Sequence, residues 1–257
     1  MKRVILLIST LLILLPCQAT EDKKEATARY EQALTVYQND NFSEALAIFE
    51  KLIAGGYSSF KLYYNAGNAA FKSGNIPSAI LNYEKALLIK PFDEDARYNL
   101  EIARTFTSDK LEVIPEIFFV RWFNMLSLLM HTNSWASISM ACFTLSLGFL
   151  AVFLFSSRYR LKKMTFIGAV LVFLLSIFSL SLAIRNKALT TDNDEAIVFA
   201  PLVTGSSSPG SSGNELFVIH EGTKVEVEDK LGDWYEIKLS DGTKGWVHLE
   251  ALKKIIP

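Results

Sequence analysis

Residues 164–184 read MTFIGAVLVFLLSIFSLSLAI, 21 positions without a charged side chain. As a helix they rise about 31 Å at 1.5 Å per residue, the thickness of a hydrocarbon core. A spanning helix over residues 165–184 decides the architecture, because everything on either side is then sorted by the membrane face it occupies. Just before it, Arg158, Arg160, Lys162 and Lys163 stand together with no acidic residue among them. Further back, residues 122–157 contain no Lys, Arg, Asp or Glu, and supply a second span over residues 135–157. Basic residues between two spans stay in the cytoplasm, so 158–164 is expected as a cytoplasmic basic loop with both ends of the chain outside. Arg185 and Lys187 lie on the outer side and weaken that bias without reversing it.

The N-terminus points the same way. Lys2 and Arg3 precede an apolar run over residues 4–15, and Cys17 and Ala19 are small residues ahead of Thr20, the pattern of a cleavable signal peptide over residues 1–19. The rival is a lipoprotein signal with Cys17 lipidated, which Pro16 opposes because a small residue is expected there. Residues 117–130 are also apolar, but a helix of that length rises only about 21 Å and Arg121 interrupts it. An amphipathic, interfacial helix over 114–133 is expected, with Trp122 near the headgroups; packing on the preceding domain is the alternative.

The two flanking blocks are soluble and mildly acidic, with 11 basic and 13 acidic residues in 20–110 and 6 and 12 in 188–257. The 257-residue chain has a net charge of -1, so neither block offers the basic surface of a nucleic-acid binder. A hydrophobic fraction of 50% excludes a disordered chain. Cys17 and Cys142 both lie in apolar runs, which rules out a disulfide framework and a four-cysteine zinc site.

Shifting residues 22–110 against themselves by 34 positions aligns Ala33 with Gly67, Asp40 with Gly74, Phe42 with Ile76, Ala45 with Ala79, Phe49 with Tyr83 and Leu52 with Ala86. This period and these residue types resemble the tetratricopeptide repeat (TPR), a helix-turn-helix unit. Small residues at Gly67 and Ala79 allow close helix packing, Gly74 suits the turn, and Pro91 stops the second helix. A third copy begins at Asp93 and supplies one helix. Three copies are normally needed for a stable stack, so the open end is expected to be covered by residues 117–130 or by a partner. The resemblance implies a solenoid whose first helices line a groove for a partner segment. By register the groove takes Tyr30, Leu34 and Tyr37, then Tyr64, Asn68, Phe71 and Lys72, then Tyr98, Asn99 and Ile102. Asn68 and Asn99 match two polar positions of a carboxylate clamp, but Tyr64 stands where a lysine is needed, so no clamp is expected. Packing between repeats competes with groove lining for the aromatic residues.

Beyond residue 184 the pattern changes to period two. Residues 196–200, 216–220, 224–228, 234–239 and 245–248 read as five short strands separated by Gly-containing turns, a small all-β closed barrel. The Ser- and Gly-rich stretch 204–213 reads as a loop. The Asp233-Trp234-Tyr235 and Gly245-Trp246 elements resemble the bacterial SH3-like domain, here over 194–257. Trp234, Tyr235 and Trp246 are its candidate contact aromatics, with packing inside the barrel as the competing role for the tryptophans.

No Gly-rich phosphate loop, His-Glu-x-x-His helix or Gly-x-Ser-x-Gly elbow occurs in the sequence. Asp93, Glu94 and Asp95 are explained by the dipole of the helix they begin. No catalytic residue, metal or cofactor is expected, and the protein is read as a non-enzyme.

The fold class is thus a multidomain membrane protein: a helical TPR solenoid, two transmembrane helices and a small SH3-like barrel. That order, together with Asp95-Ala96-Arg97-Tyr98-Asn99-Leu100, resembles the BatE family of the bacterial aerotolerance operon. The resemblance implies an adaptor or scaffold in the bacterial cytoplasmic (inner) membrane, with both soluble domains on the periplasmic face. Its implied partners are von Willebrand A-type membrane proteins and an associated AAA-type ATPase in an aerotolerance or envelope-stress complex. An envelope tether that binds peptidoglycan through the SH3-like domain is the alternative.

Overall fold

The computed structural model describes residues 24–110, 117–192, 194–210 and 213–256. The expected signal peptide, with Cys17, lies outside them, as do the first residues of the expected interfacial helix. The chain divides into two compact units, one combining the residues before Val113 with Asp194–Ile255, the other spanning Val113–Asn193.

Among its described residues the first unit holds five helices ahead of the strands: α1 (24–38), α2 (Phe42–Ala54), α3 (Phe60–Lys72), α4 (Ile76–Ile89) and α5 (Glu94–Thr105). The 34-residue offset recurs in the backbone. Asp40 (φ 60°) and Gly74 (φ 80°) take the same left-handed turn, and the N–H groups of Asn41 and Asn75 close it onto Val36 and Ala70. Aspartate is one of the few side chains that accept this conformation, so the first copy turns without glycine. Ser59, Asn75 and Asp93 cap α3, α4 and α5 by accepting the N–H groups of Leu62, Ser78 and Ala96. Small residues carry the helix contacts: Ala33, Ala45, Ala66, Ala79 and Ala86 are fully buried beside Phe49 and Tyr83. A Cβ on Gly67 would lie 2.6 Å from the Tyr83 ring, so only glycine lets α3 approach α4 this closely.

Seven antiparallel strands complete this unit: β1 (Glu195–Val198), β2 (Leu202–Ser206), β3 (Glu215–His220), β4 (Lys224–Leu231), β5 (Trp234–Lys238), β6 (Lys244–His248) and β7 (Leu252–Lys254). They run in the order β3-β2-β6-β5-β4-β1-β7. Two strands escape the five-strand reading. β2 begins ahead of the Ser- and Gly-rich stretch and runs into it, and β7 is only three residues long. Among the described residues β3 and β7 end the ladder, so its hydrogen bonding stays open where a closed barrel was expected.

The helices and the sheet are not separate domains, as the sequence had suggested. β1 is buried on both faces: Ala196 and Val198 face the core of the sheet, while Ile197 joins Ile80 and Ile255 in the core of the helices. α4 packs on β1, and every residue of α4 from Pro77 to Glu84 is buried. The last helices of the stack are therefore met by the chain's own sheet.

The second unit holds α6 (Phe118–Leu128), α7 (Thr132–Phe155) and α8 (Tyr159–Thr190). α7 and α8 are long and apolar enough to cross a membrane, each containing an 18-residue stretch whose mean hydropathy is 2.2 in α7 and 2.6 in α8. Residues 159–164, expected in a loop, form the first turns of α8, since they contain neither glycine nor proline to prevent helix. Serines join α7 to α8. Ser139 Oγ donates to Ser176 O and Ser176 Oγ to Ser139 O, each at 2.9 Å, and Ser146 Oγ donates to Ala169 O at 2.9 Å. With the hydroxyls satisfied by the neighbouring backbone, the helices can pack without an unpaired polar group in an apolar setting.

Candidate functional site

A cleft of about 200 Å³ opens where α1, α3 and α5 come together over α4. Tyr37 comes from α1, Asn68, Phe71 and Lys72 from α3, Tyr83 from α4, and Asn99 and Ile102 from α5. Asn68 is its polar centre. Its Oδ1 accepts the Tyr83 hydroxyl at 2.8 Å and Asn99 Nδ2 at 3.1 Å, which fixes the amide and leaves its Nδ2 as a donor. Burial, reinforced by the nearby Tyr64 and Tyr37 phenols, pushes the Tyr83 hydroxyl well above its ordinary pKa, so it remains a donor. Lys72 is exposed at the rim, and no carboxylate is among the lining side chains. Phe71, backed edge-on by Phe106 at 5.5 Å, and Ile102 form apolar walls. The cleft thus offers two kinds of donor beside apolar surface.

Six of the residues expected in a groove line this cleft: Tyr37, Asn68, Phe71, Lys72, Asn99 and Ile102. Three of the expected tyrosines do not. Tyr30 accepts Asn65 Nδ2 at 2.6 Å and rests against Phe49. Tyr64, one repeat later, accepts Asn99 Nδ2 at 3.2 Å and stacks on Phe60. Both tie successive first helices together, and Leu34 packs on the helical core. Tyr98 is 64% exposed and lies outside the cleft. Tyr83 was not among the expected groove residues: its place in the 34-residue alignment was legible, but its hydroxyl reaching Asn68 depends on how closely Gly67 lets the helices approach.

The sheet separates its three aromatics. Trp234 pairs with His248 and Glu236 with Trp246, so both tryptophans share one face; Tyr235 pairs with Val247 on the other. Val247 is fully buried, and Tyr235 packs against the core of the sheet. The tryptophans stand half-buried outside that core, with Trp234 edge-on to His248 at 5.7 Å.

Two charged clusters join helices to sheet, and neither was expected from the sequence. Glu84 of α4 accepts from Arg104 of α5 and from Lys224 of β4, at 3.2 Å for the lysine, and Lys224 also meets Glu195 at 2.6 Å. Burial alone would push the Glu84 carboxyl up, but Lys224 and Arg104 outweigh it and hold its pKa below the usual carboxylate value. Burial likewise favours neutral Lys224, and Glu84 and Glu195 outweigh it, raising the pKa of the ammonium. Asp109 accepts the backbone N–H of His220 at 2.6 Å and the Thr223 hydroxyl at 2.6 Å, with His220 Nδ1 at 2.8 Å. Burial pushes this carboxyl up, but the bonds from Thr223 and His220 prevail and lower its pKa.

No curated protein and no solved structure matches the chain. Residues 207–253, covering β3 to β6 and most of β7, match the family model for the bacterial SH3 domain. The C-terminal part of the chain is a bacterial SH3 domain.

Proposed function

We propose that the protein is a membrane-anchored adaptor without catalytic activity, holding an extended segment of a partner protein in the cleft around Asn68 and Lys72. The cleft carries this reading. Side chains from four helices converge there, with amide and ammonium donors for a segment's carbonyl or carboxylate groups beside apolar walls for its side chains. The repeated turn at Asp40 and Gly74, and the repeated Tyr30–Asn65 and Tyr64–Asn99 bonds, support a TPR-type stack.

Two membrane crossings by α7 and α8 return the chain to the side it left, which a unit built from residues on both sides of that pair requires. The expected signal peptide puts that side outside the cytoplasmic membrane. The resemblance to the BatE family suggests von Willebrand A-type membrane proteins as partners, in a complex serving aerotolerance. The test is in-cell crosslinking and co-purification with a tagged full-length chain. Lys72→Glu should lose partners that the wild-type chain retains, with unchanged thermal unfolding; Asn68→Ala should lose them too, and should also lower stability because the buried Tyr83 hydroxyl loses its acceptor. Equal recovery of partners by both variants contradicts the proposal.

One observation favours a second reading. Trp234 and Trp246 share an outer face of the SH3 domain, a surface on which sugar rings stack, as an envelope tether needs. Loss of wall binding in Trp234→Ala, with partners retained, would favour the tether.

A further inference from the structure

α6 has its apolar side chains on the outside. Phe118, Phe119, Trp122, Met125 and Leu129 are 50–75% exposed, while its packed stripe is Phe123, Asn124 and Ser127. A helix on an aqueous surface presents polar residues there. This helix is hooked onto the outer ends of the two candidate spans: Ser127 O accepts Trp135 Nε1 and Asn186 Nδ2, each at 3.0 Å, and Asn124 Oδ1 accepts Arg185 Nε at 2.7 Å. Phe123 packs edge-on against Phe178 of α8 at 6.2 Å. At 11 residues it rises about 16 Å, too little to cross a bilayer.

Its charges fit the same place. Arg121 sits one turn from Asn124, where Arg185 is bound, and residues 117–191 contain no Asp or Glu. Two guanidinium groups therefore stand near the outer ends of the spans, and residues 117–191 supply no carboxylate to neutralise them. Lipid phosphates supply the counter-charge, and guanidinium binds phosphate well.

We infer that α6 is a monotopic element of the membrane anchor: it lies in the outer headgroup layer, with its exposed apolar side chains among the upper acyl segments and Arg121 and Arg185 at phospholipid phosphates. This rests on the membrane reading of α7 and α8. It makes the exposed apolar face of α6 a lipid surface and gives the outer arginines a role beyond orientation.

The test uses the full chain, with Cys17 and Cys142 replaced by alanine, in phosphatidylcholine vesicles. An NBD fluorophore is placed at Met125→Cys or, as a mid-span reference, at Leu174→Cys. The expected result at position 125 is stronger quenching by lipids doxyl-labelled near the headgroup than by lipids labelled near the chain end, with the reverse order at position 174. Arg121→Glu should abolish most of the quenching at position 125, and unchanged quenching would remove Arg121 from the phosphate layer. No lipid quenching at 125 with normal quenching at 174 overturns the inference and leaves the spans standing. No quenching at either position overturns the membrane reading and the inference together.

Discussion

Asp109 and His220 are 111 residues apart in sequence, yet one carboxylate receives both the backbone N–H and lies at the ring Nδ1 of that histidine. The chain between them includes both candidate spans. The contact therefore does what no local element can: with Glu84 and Lys224 it fastens the SH3 domain to the helical stack and makes one unit from sequence on both sides of the two candidate spans.

Asp109→Ala leaves the His220 N–H and the Thr223 hydroxyl without their acceptor. An unsatisfied buried donor costs about 1–3 kcal/mol, so the sheet should release first. Thermal unfolding of the full chain in detergent, with proteolysis near residue 194, measures the loss; Thr223→Val should cost less because one bond goes instead of several.

Glu84→Ala removes the α4 carboxylate that holds Lys224 and Arg104, leaving Lys224 with Glu195 alone and the half-exposed Arg104 to solvent. Losing such charge-assisted bonds at a part-buried site costs about 1–3 kcal/mol. Chemical denaturation of the wild-type and Glu84→Ala chains measures the loss, and equal stability contradicts the cluster.

The junction should fail at both ends of the pH scale. Asp109 and Glu84 have lowered pKa values in the folded chain, so their contribution is fully present above the ordinary carboxylate values near pH 4 and is lost as pH falls through the lower folded values. Lys224 has a raised pKa, so its contribution is complete below its ordinary value of about 10.4 and is lost as pH rises through the folded value. Stability against pH should show a flat centre, and Asp109→Asn should flatten the acid limb.

Gly67→Ala drives a methyl group into the Tyr83 ring. Overpacking of this kind costs about 1–3 kcal/mol, and displacing Tyr83 also withdraws its hydroxyl from Asn68. Partner recovery should therefore fall more than in a surface variant of equal stability, such as one at Tyr98.

Much of the architecture was legible because it rests on periodicity. An uncharged 21-residue run, a 34-residue offset and alternating strands are local patterns, and the Trp234 and Gly245-Trp246 elements sit in the matched SH3 segment. The cleft was legible in six of its seven lining residues, since register places side chains on helix faces. What escaped depends on distance in sequence or on strand pairing. Nothing near Asp109 announces His220, nothing in the Ala196-Ile197-Val198 triplet says that both faces are covered by different layers, and the opposed faces of Trp234 and Tyr235 acquire meaning only once β5 pairs with β6.

The most direct test of the joined unit, and of its proposed export, is a disulfide across its seam. A Cβ built on Gly222 lies 3.8 Å from the Thr107 Cβ, within the range that a disulfide spans. Gly222 has φ 86°, so cysteine there carries strain of about 1–2 kcal/mol, which leaves the geometry of the bond accessible. In a chain with Cys142→Ala, the pair Thr107→Cys and Gly222→Cys should form a bond in intact cells without added oxidant, and neither single variant should. Free thiols at both positions, open to a membrane-impermeant reagent, would contradict the seam; thiols closed to it and oxidised only after lysis would contradict the export.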